Sequence, residues 1–220
     1  MTIKSILVPI LFLTSCKTIL LNTMLKDPKV ENTSTIKKFQ TENNFSTNNS
    51  LIIKADTSNA QEKLLLGLTV GYYIFDKNGN QICYNGAATC HGVQFRQLIE
   101  GKVDSFQNCN NNKATFQNVI SETYDLDEKP VTMSQFKEAD YYVVTYWQKF
   151  LGSIKGYKND VSWMEELIQN TNSKYKFTYI KINTDLQESW GFEPGKKAKL
   201  KFKKKGNQLS MEITDFPVKQ

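Results

Sequence analysis

Between residues 141 and 147 the chain reads Tyr-Tyr-Val-Val-Thr-Tyr-Trp, a nearly continuous run of β-branched and aromatic side chains. A strand with one face in water alternates apolar and polar residues. This run does not alternate, as expected of a central strand covered on both faces. Such a strand needs neighbours in a sheet and helices above and below it, so the fold class is α/β. Further pieces follow in order. Asp160 can cap a helix over residues 161–170, in which Val161, Met164, Leu167 and Ile168 share one face while Glu165 and Glu166 lie outward. Residues 177–182 read as the next strand, and residues 199–205 and 208–214 flank Gly206-Asn207 as a hairpin.

The link after the first strand, residues 146–155, is Tyr-Trp-Gln-Lys-Phe-Leu-Gly-Ser-Ile-Lys. Laid on without a gap, it resembles the active-site turn of the thioredoxin family, F-W-A-x-W-C-G-P-C-K. Trp147, Gly152 and Lys155 match, and Tyr146 and Phe150 keep an aromatic where the family has one. Asn183-Thr184-Asp185 resembles the N-x-D that ends the next thioredoxin strand. Trp190-Gly191-Phe192 resembles the Y-G-I that closes the following short helix, and the hairpin resembles the family's F-K-N-G-x turn. The resemblance implies a thioredoxin-like three-layer sandwich, a mixed sheet flanked by helices, over residues 127–220.

The same resemblance implies that the family's chemistry is gone. Leu151 and Ile154 stand at the two redox cysteines, Ser153 at the proline, and Thr145 at the buried aspartate that serves proton transfer to a buried thiol. No catalytic residue is therefore assigned. Trp147, Leu151, Gly152, Ser153 and Ile154 are expected to form a chemically silent turn that contacts a partner or fills local core.

Upstream, residues 51–126 read as a folded extension containing a β-hairpin. The apolar runs 71–75 and 81–84 flank Asp76-Lys77-Asn78-Gly79-Asn80, whose Asn-Gly step supplies the conformations of a hairpin turn. Val93, Phe95, Leu98 and Ile99 have helical spacing with Gly101 as a stop, and Phe116, Val119 and Ile120 mark a second short helix over 115–124. The cysteines Cys83, Cys90 and Cys109 lie here. In an exported chain an oxidised pair is expected, and three leave one over. Cys90 and Cys109 sit in loop-like surroundings and Cys83 in a strand pattern, which favours Cys90–Cys109 with Cys83 a buried thiol. There is no C-x-x-C, and His91 is the only histidine, so the usual zinc sets cannot be assembled. Cys90-His91 also lacks the cysteine that haem attachment needs at residue 87, where Ala87 stands. Neither a metal nor a cofactor is assigned.

At the N-terminus, Lys4 precedes an apolar run over residues 6–13 that is too short to span a bilayer. It ends in Leu13-Thr14-Ser15-Cys16, which resembles a bacterial lipobox: aliphatic, small, small, then the cysteine that is lipidated. Residues 1–15 are then a signal peptide and Cys16 the lipidation site. Acyl chains contribute about 0.8 kcal/mol per buried CH₂, so several would hold the protein on its membrane. Residues 16–50, rich in Asn, Thr, Ser, Lys and Glu beyond residue 31, read as a flexible tether with too little apolar surface to fold.

The 220 residues are 40% hydrophobic and 12% aromatic, enough for a sizeable core, and carry a formal charge of +6. That charge suits acidic partners such as lipid head groups or anionic glycans, although at this size it chiefly favours solubility. Seven lysines fall between residues 196 and 205, and Lys199, Lys201 and Lys203 alternate with Ala198, Leu200 and Phe202. They protect a strand edge or dock on a phosphate-bearing lipid or polysaccharide. Nucleic acid is not expected for an exported chain. The reading is a lipid-anchored binding or scaffolding module of the bacterial cell envelope, facing the periplasm or the exterior, with an envelope protein or an anionic glycan or lipid as partner. The alternative is a thiol-disulfide oxidoreductase using a displaced pair such as Cys83 and Cys90.

Overall fold

A computed structural model of the chain describes residues 26–69, 71–88, 90–109, 114–153, 157–205 and 208–220. In chain order the strands are β1 (Ser50–Ile53), β2 (Tyr72–Asp76), β3 (Gln81–Tyr84), β4 (Phe106–Asn108), β5 (Thr123–Asp125), β6 (Tyr141–Trp147), β7 (Phe177–Asn183), β8 (Lys199–Lys205) and β9 (Gln208–Thr214). The helices are α1 (Thr33–Glu42), α2 (Ala60–Thr69), α3 (His91–Ile99), α4 (Phe116–Ser121) and α5 (Tyr157–Asn170).

The unalternating run forms β6, in which every residue from Tyr142 to Trp147 is buried. It lies mid-sheet in a seven-stranded mixed sheet of order β4-β3-β2-β6-β7-β1-β5. On one side it pairs in parallel with β7, from Tyr141↔Phe177 to Trp147↔Asn183, and on the other antiparallel with β2. β7 in turn pairs in parallel with β1. Alternate residues of β6 enter different layers, as a period of two requires. Tyr142, Val144 and Tyr146 join the main core with Leu64 of α2 and Phe116 and Ile120 of α4. On the other face Val143 clusters with Phe95 of α3 and Met164 of α5, and Trp147 with Ile36 of α1. Helices thus cover both faces of the sheet. None among the described residues is long and apolar enough to cross a membrane.

The division at residue 126 does not hold. β2, β3 and β4 lie on one flank of β6, and β1 and β5 lie beyond β7, so the stretches 51–126 and 127–220 build one sheet. The hairpin expected at 71–84 forms, with Gly79 at φ +81° and the Asp76 carboxylate accepting the N–H groups of Asn78 and Asn80, each at 2.9 Å. It occupies the antiparallel place beside β6. The later hairpin, β8–β9, stands apart as its own two-stranded sheet, attached to the main core through Ala198, Leu200 and Ile213. Smaller departures occur on the helices. α5 begins at Tyr157, so Asp160 lies inside it, and Val93, expected on the apolar face of α3, is exposed.

The reading of 16–50 as a tether is also corrected over its described part, residues 26–50. Residues 28–31 form a strap along 186–198: the Val30 N–H donates to the Lys196 carbonyl, and the Glu31 N–H to that of Leu186, both at 2.8 Å. α1 follows, capped by Asn32. Its side chain accepts the Thr35 N–H while its own N–H donates to Thr35 Oγ1, both at 3.0 Å. Composition misleads here because so few apolar residues suffice. Ile36, Phe39 and Phe45 surround Trp147, and the buried Gln40 donates its amide to Ser50 Oγ at 2.7 Å. Tertiary packing, rather than helix propensity, stabilises such a short polar helix.

Candidate functional site

β6 and β7 end side by side at Trp147 and Asn183. In open α/β sheets ligands are bound beyond the carboxyl ends of parallel strands, which makes this rim the first place to look. The chain leaves β6 through Gln148 and Lys149 into a single 3₁₀ turn, Phe150–Ser153. From the end of β7, Asp185 reaches across and binds that exit. Its carboxylate accepts the Lys149 N–H at 2.6 Å, the Phe150 N–H at 3.4 Å and the Asn183 side-chain amide at 2.8 Å. Gln187 donates to Asn183 Oδ1 and to the Asp185 carbonyl, both at 3.1 Å. Asp185 is 1% exposed, and burial raises its carboxyl from 3.8 to about 6. The backbone N–H of Lys149, the Asn183 amide and the Phe150 N–H pull the other way. The Lys149 ammonium meets the buried Glu31 of the strap at 2.7 Å.

The turn is plugged as well as clamped. Phe150 and Leu151 are buried in the main core, and Gln148 donates to the Leu64 carbonyl of α2. α2 lies so close that a Cβ on Gly67 would stand 2.6 Å from Thr184 Oγ1 and 2.7 Å from Gln148 Cδ. Trp147 is fully buried. It stacks on Phe39 at 5.9 Å and meets Phe45 edge-on at 5.9 Å. Trp147 and Leu151 are therefore local core rather than contact surface. Gly152 and Ser153 supply the backbone of the turn, and Ile154 lies outside the described residues. Thr145, at the position of the family's buried acid, donates its hydroxyl to Met164 Sδ at 3.4 Å. Cys16 also lies outside the described residues.

The expected Cys90–Cys109 pairing is overturned: Cys83 is bonded to Cys109, with Cα atoms 5.1 Å apart, and Cys90 is a free, exposed thiol. The cause is β4, an edge strand too short and polar to read from sequence. It pairs with β3 so that Cys83 faces Gln107, and the Cys109 N–H donates to the Gln81 carbonyl at 3.2 Å. Cys83 is thus neither a thiol nor buried. Cys90 stands at the start of α3, next to His91. Beside them is a small cavity of about 210 Å³, and the Tyr72 hydroxyl donates there to the His91 carbonyl at 3.2 Å. Burial, and secondarily the nearby Cys90, push the Tyr72 phenol up to about 12.

The opposite rim, at the amino ends of β1 and β7, is concave. Clefts of about 580, 530 and 540 Å³ adjoin around the loop after α1, sharing Asn48. Amides, hydroxyls and charges line them: Thr41, Asn49 and Gln135, with Lys37 and Asp127 as an exposed ion pair at 2.7 Å. Glu165 is shared by two of the clefts and is not the solvated carboxylate expected on α5. It turns inward to Lys181 of β7 at 2.9 Å. Lys181 is 1% exposed, and burial lowers its ammonium below the usual lysine range although Glu165 opposes this. Sequence reading misses these clefts because Asn48 and Asn49 fall in a polar stretch resembling a linker. The one available signal is a lysine inside a run of strand residues, at 181, which demands a buried partner.

Among the described residues no group of three His, Cys, Asp or Glu side chains is placed to hold a metal ion. Compared with known protein families, with curated proteins and with solved structures, the chain matches none.

Proposed function

We propose that this protein is a lipid-anchored, non-catalytic binding module of the bacterial cell envelope, built on a thioredoxin-like sandwich whose redox turn serves as a structural joint. The observation that carries the reading is the joint itself. Where the resemblance puts the first redox cysteine, Leu151 is packed into the core, and the two N–H groups before it are taken by Asp185. A reactive thiolate needs access and free electropositive donors. The β6–α5–β7 unit, with an antiparallel hairpin beside β6, supports the thioredoxin-like form, although that hairpin comes from the chain before β6. Lipidation at Cys16 rests on the lipobox resemblance. The polar clefts around Asn48 supply a face for an envelope partner, a protein segment or a glycan, that binds through hydrogen bonds to amides and hydroxyls.

Two measurements test this. Reduction of insulin by dithiothreitol should proceed at the background rate in the presence of the protein. Turnover abolished by Cys90→Ser or Cys83→Ser would replace the binding reading by an oxidoreductase. In a bacterium fed a fatty-acid analogue, the parent should be labelled and Cys16→Ser should not. Equal labelling of both would remove the anchor.

A further inference from the structure

We propose that the lysines of residues 26–29 and those of residues 196–201 form one basic face, which lies on the anionic headgroups of the membrane that holds Cys16; this rests on the lipid-anchor reading above. The two segments are remote in sequence, and the strap joins them. Lys29 and Lys197 are partners in an antiparallel bridge. The Ala198 N–H donates to the Pro28 carbonyl at 3.0 Å, and the Leu200 N–H to Asp27 Oδ1 at 3.0 Å. Lys26, Lys29, Lys196, Lys197, Lys199 and Lys201 are all exposed. Protection of a strand edge would account for the lysines of β8. It does not account for Lys26 and Lys29 arriving beside them from the other end of the chain.

The acids nearby offset this charge only in part. The Asp27 carboxylate accepts the Leu200 N–H, Glu31 is buried against Lys149, and Glu188 meets Lys219 at 3.5 Å. The other acids of the region are Glu193 and Glu212, both half-buried, the latter across the ladder from Lys201, and the exposed Asp215, which follows Thr214, the partner of Lys199. The apolar side of the hairpin is used inward, since Leu200 and Ile213 belong to the main core, leaving Lys199 and Lys201 outward.

The position of the anchor selects lipid over other anionic partners. Lys26 comes ten positions after Cys16. At most about 35 Å of chain therefore links the acylated residue to this face. A lipid chain combined with a basic patch is a recognised pair of membrane signals. α1 runs from the strap to the loop at 43–49, so the polar clefts at the far rim would face away from the bilayer.

The test uses the full chain, expressed and processed in a bacterium and reconstituted on phosphatidylcholine vesicles with or without phosphatidylglycerol. Amine acetylation is followed lysine by lysine by mass spectrometry. On the anionic vesicles Lys196, Lys197, Lys199 and Lys201 should react at least about threefold more slowly than on neutral ones, and high salt should remove the difference. Lys77 and Lys129, exposed at the far rim, should react equally on both. Protein that floats with both vesicles while its lysines react alike would overturn the basic face and leave the anchor standing. Salt-sensitive flotation with anionic vesicles alone would uphold the basic face and refute the anchor, and flotation with neither would overturn both. Protection by a soluble anionic polysaccharide, with none from phosphatidylglycerol, would assign the face to a glycan and overturn the proposal.

Discussion

Asp185 is the residue on which the exit from β6 turns, and its burial makes a signed prediction. An ordinary aspartate ionises at 3.8, whereas burial moves this one to about 6 despite three donors. In the unfolded chain it ionises near its ordinary value, so between these two pH values the folded protein binds more proton than the unfolded one. The contribution of this group to stability is then fully present below about pH 4 and is lost as pH rises through 6, by about 3 kcal/mol in full. Between pH 4.5 and 7 the same linkage gives about 2 kcal/mol. Asp185→Asn removes the titration while keeping the shape. It also turns a donor toward the Lys149 or Phe150 N–H, a cost that does not vary with pH. Urea unfolding of both proteins from pH 4.5 to 7 isolates the effect, because the other carboxylates are common to both. The parent should lose roughly 2 kcal/mol relative to the variant over that range. A difference that stays flat, or that runs the other way, would show that the three donors hold the carboxylate ionised and that burial is not the dominant influence.

The other predictions concern the staple, the buried pair and the capping helix. Peptide mapping without reduction should find Cys83 joined to Cys109. Cys83→Ser should cost roughly 3 kcal/mol in urea, as expected for a closed loop of 26 residues, and Cys90→Ser almost nothing. Glu165→Gln leaves the Lys181 ammonium buried without its carboxylate and should cost about 3 kcal/mol, most of it recovered by adding Lys181→Met. Ile36→Ala should destabilise the whole domain by roughly 2–4 kcal/mol in the same unfolding transition; no change would restore the flexible tether.

What sequence conveyed about this fold follows from how locally each feature is encoded. β6 and β7 declare themselves because strands covered on both faces are rich in β-branched and aromatic residues without a polar alternation, and β2–β3 because the turn chemistry at Asp76 and Gly79 is local. α3 and the core residues of α4 follow from spacing alone. α1 is not legible: its inward stripe is only Ile36, the half-buried Phe39 and Gln40, and the partner that makes this sufficient, Trp147, lies more than a hundred residues away. Cysteine pairing failed for a similar reason, since β4 has no alternation to announce the edge that carries Cys109 to Cys83. At the site, the N-x-D pattern was visible while its role was not. A carboxylate that binds backbone N–H groups across two strand ends has no signature beyond the acid itself.

The sheet order explains why the two ends of the chain meet. Successive strands usually pair, so the hairpin following β7 is the local candidate to extend the sheet. The antiparallel place beside β6 is instead filled by β2, which precedes it, and the flank is finished by β3 and β4 under the Cys83–Cys109 staple. With β2 beside β6, and β1 and β5 lying beyond β7, β8–β9 pairs with no strand of the large sheet among the described residues. It folds on itself and sets its apolar side on the core at Ala198, Leu200 and Ile213. The strap at 28–31 then finds free backbone groups at Leu186, Gly195 and Lys196, and fastening there aims α1 along the sheet toward Trp147. One exchange of hairpins therefore accounts for the clustering of lysines from both ends of the chain. It also accounts for Glu31, which by arriving with the strap gives Lys149 its partner and adds a carboxylate that helps to raise Asp185.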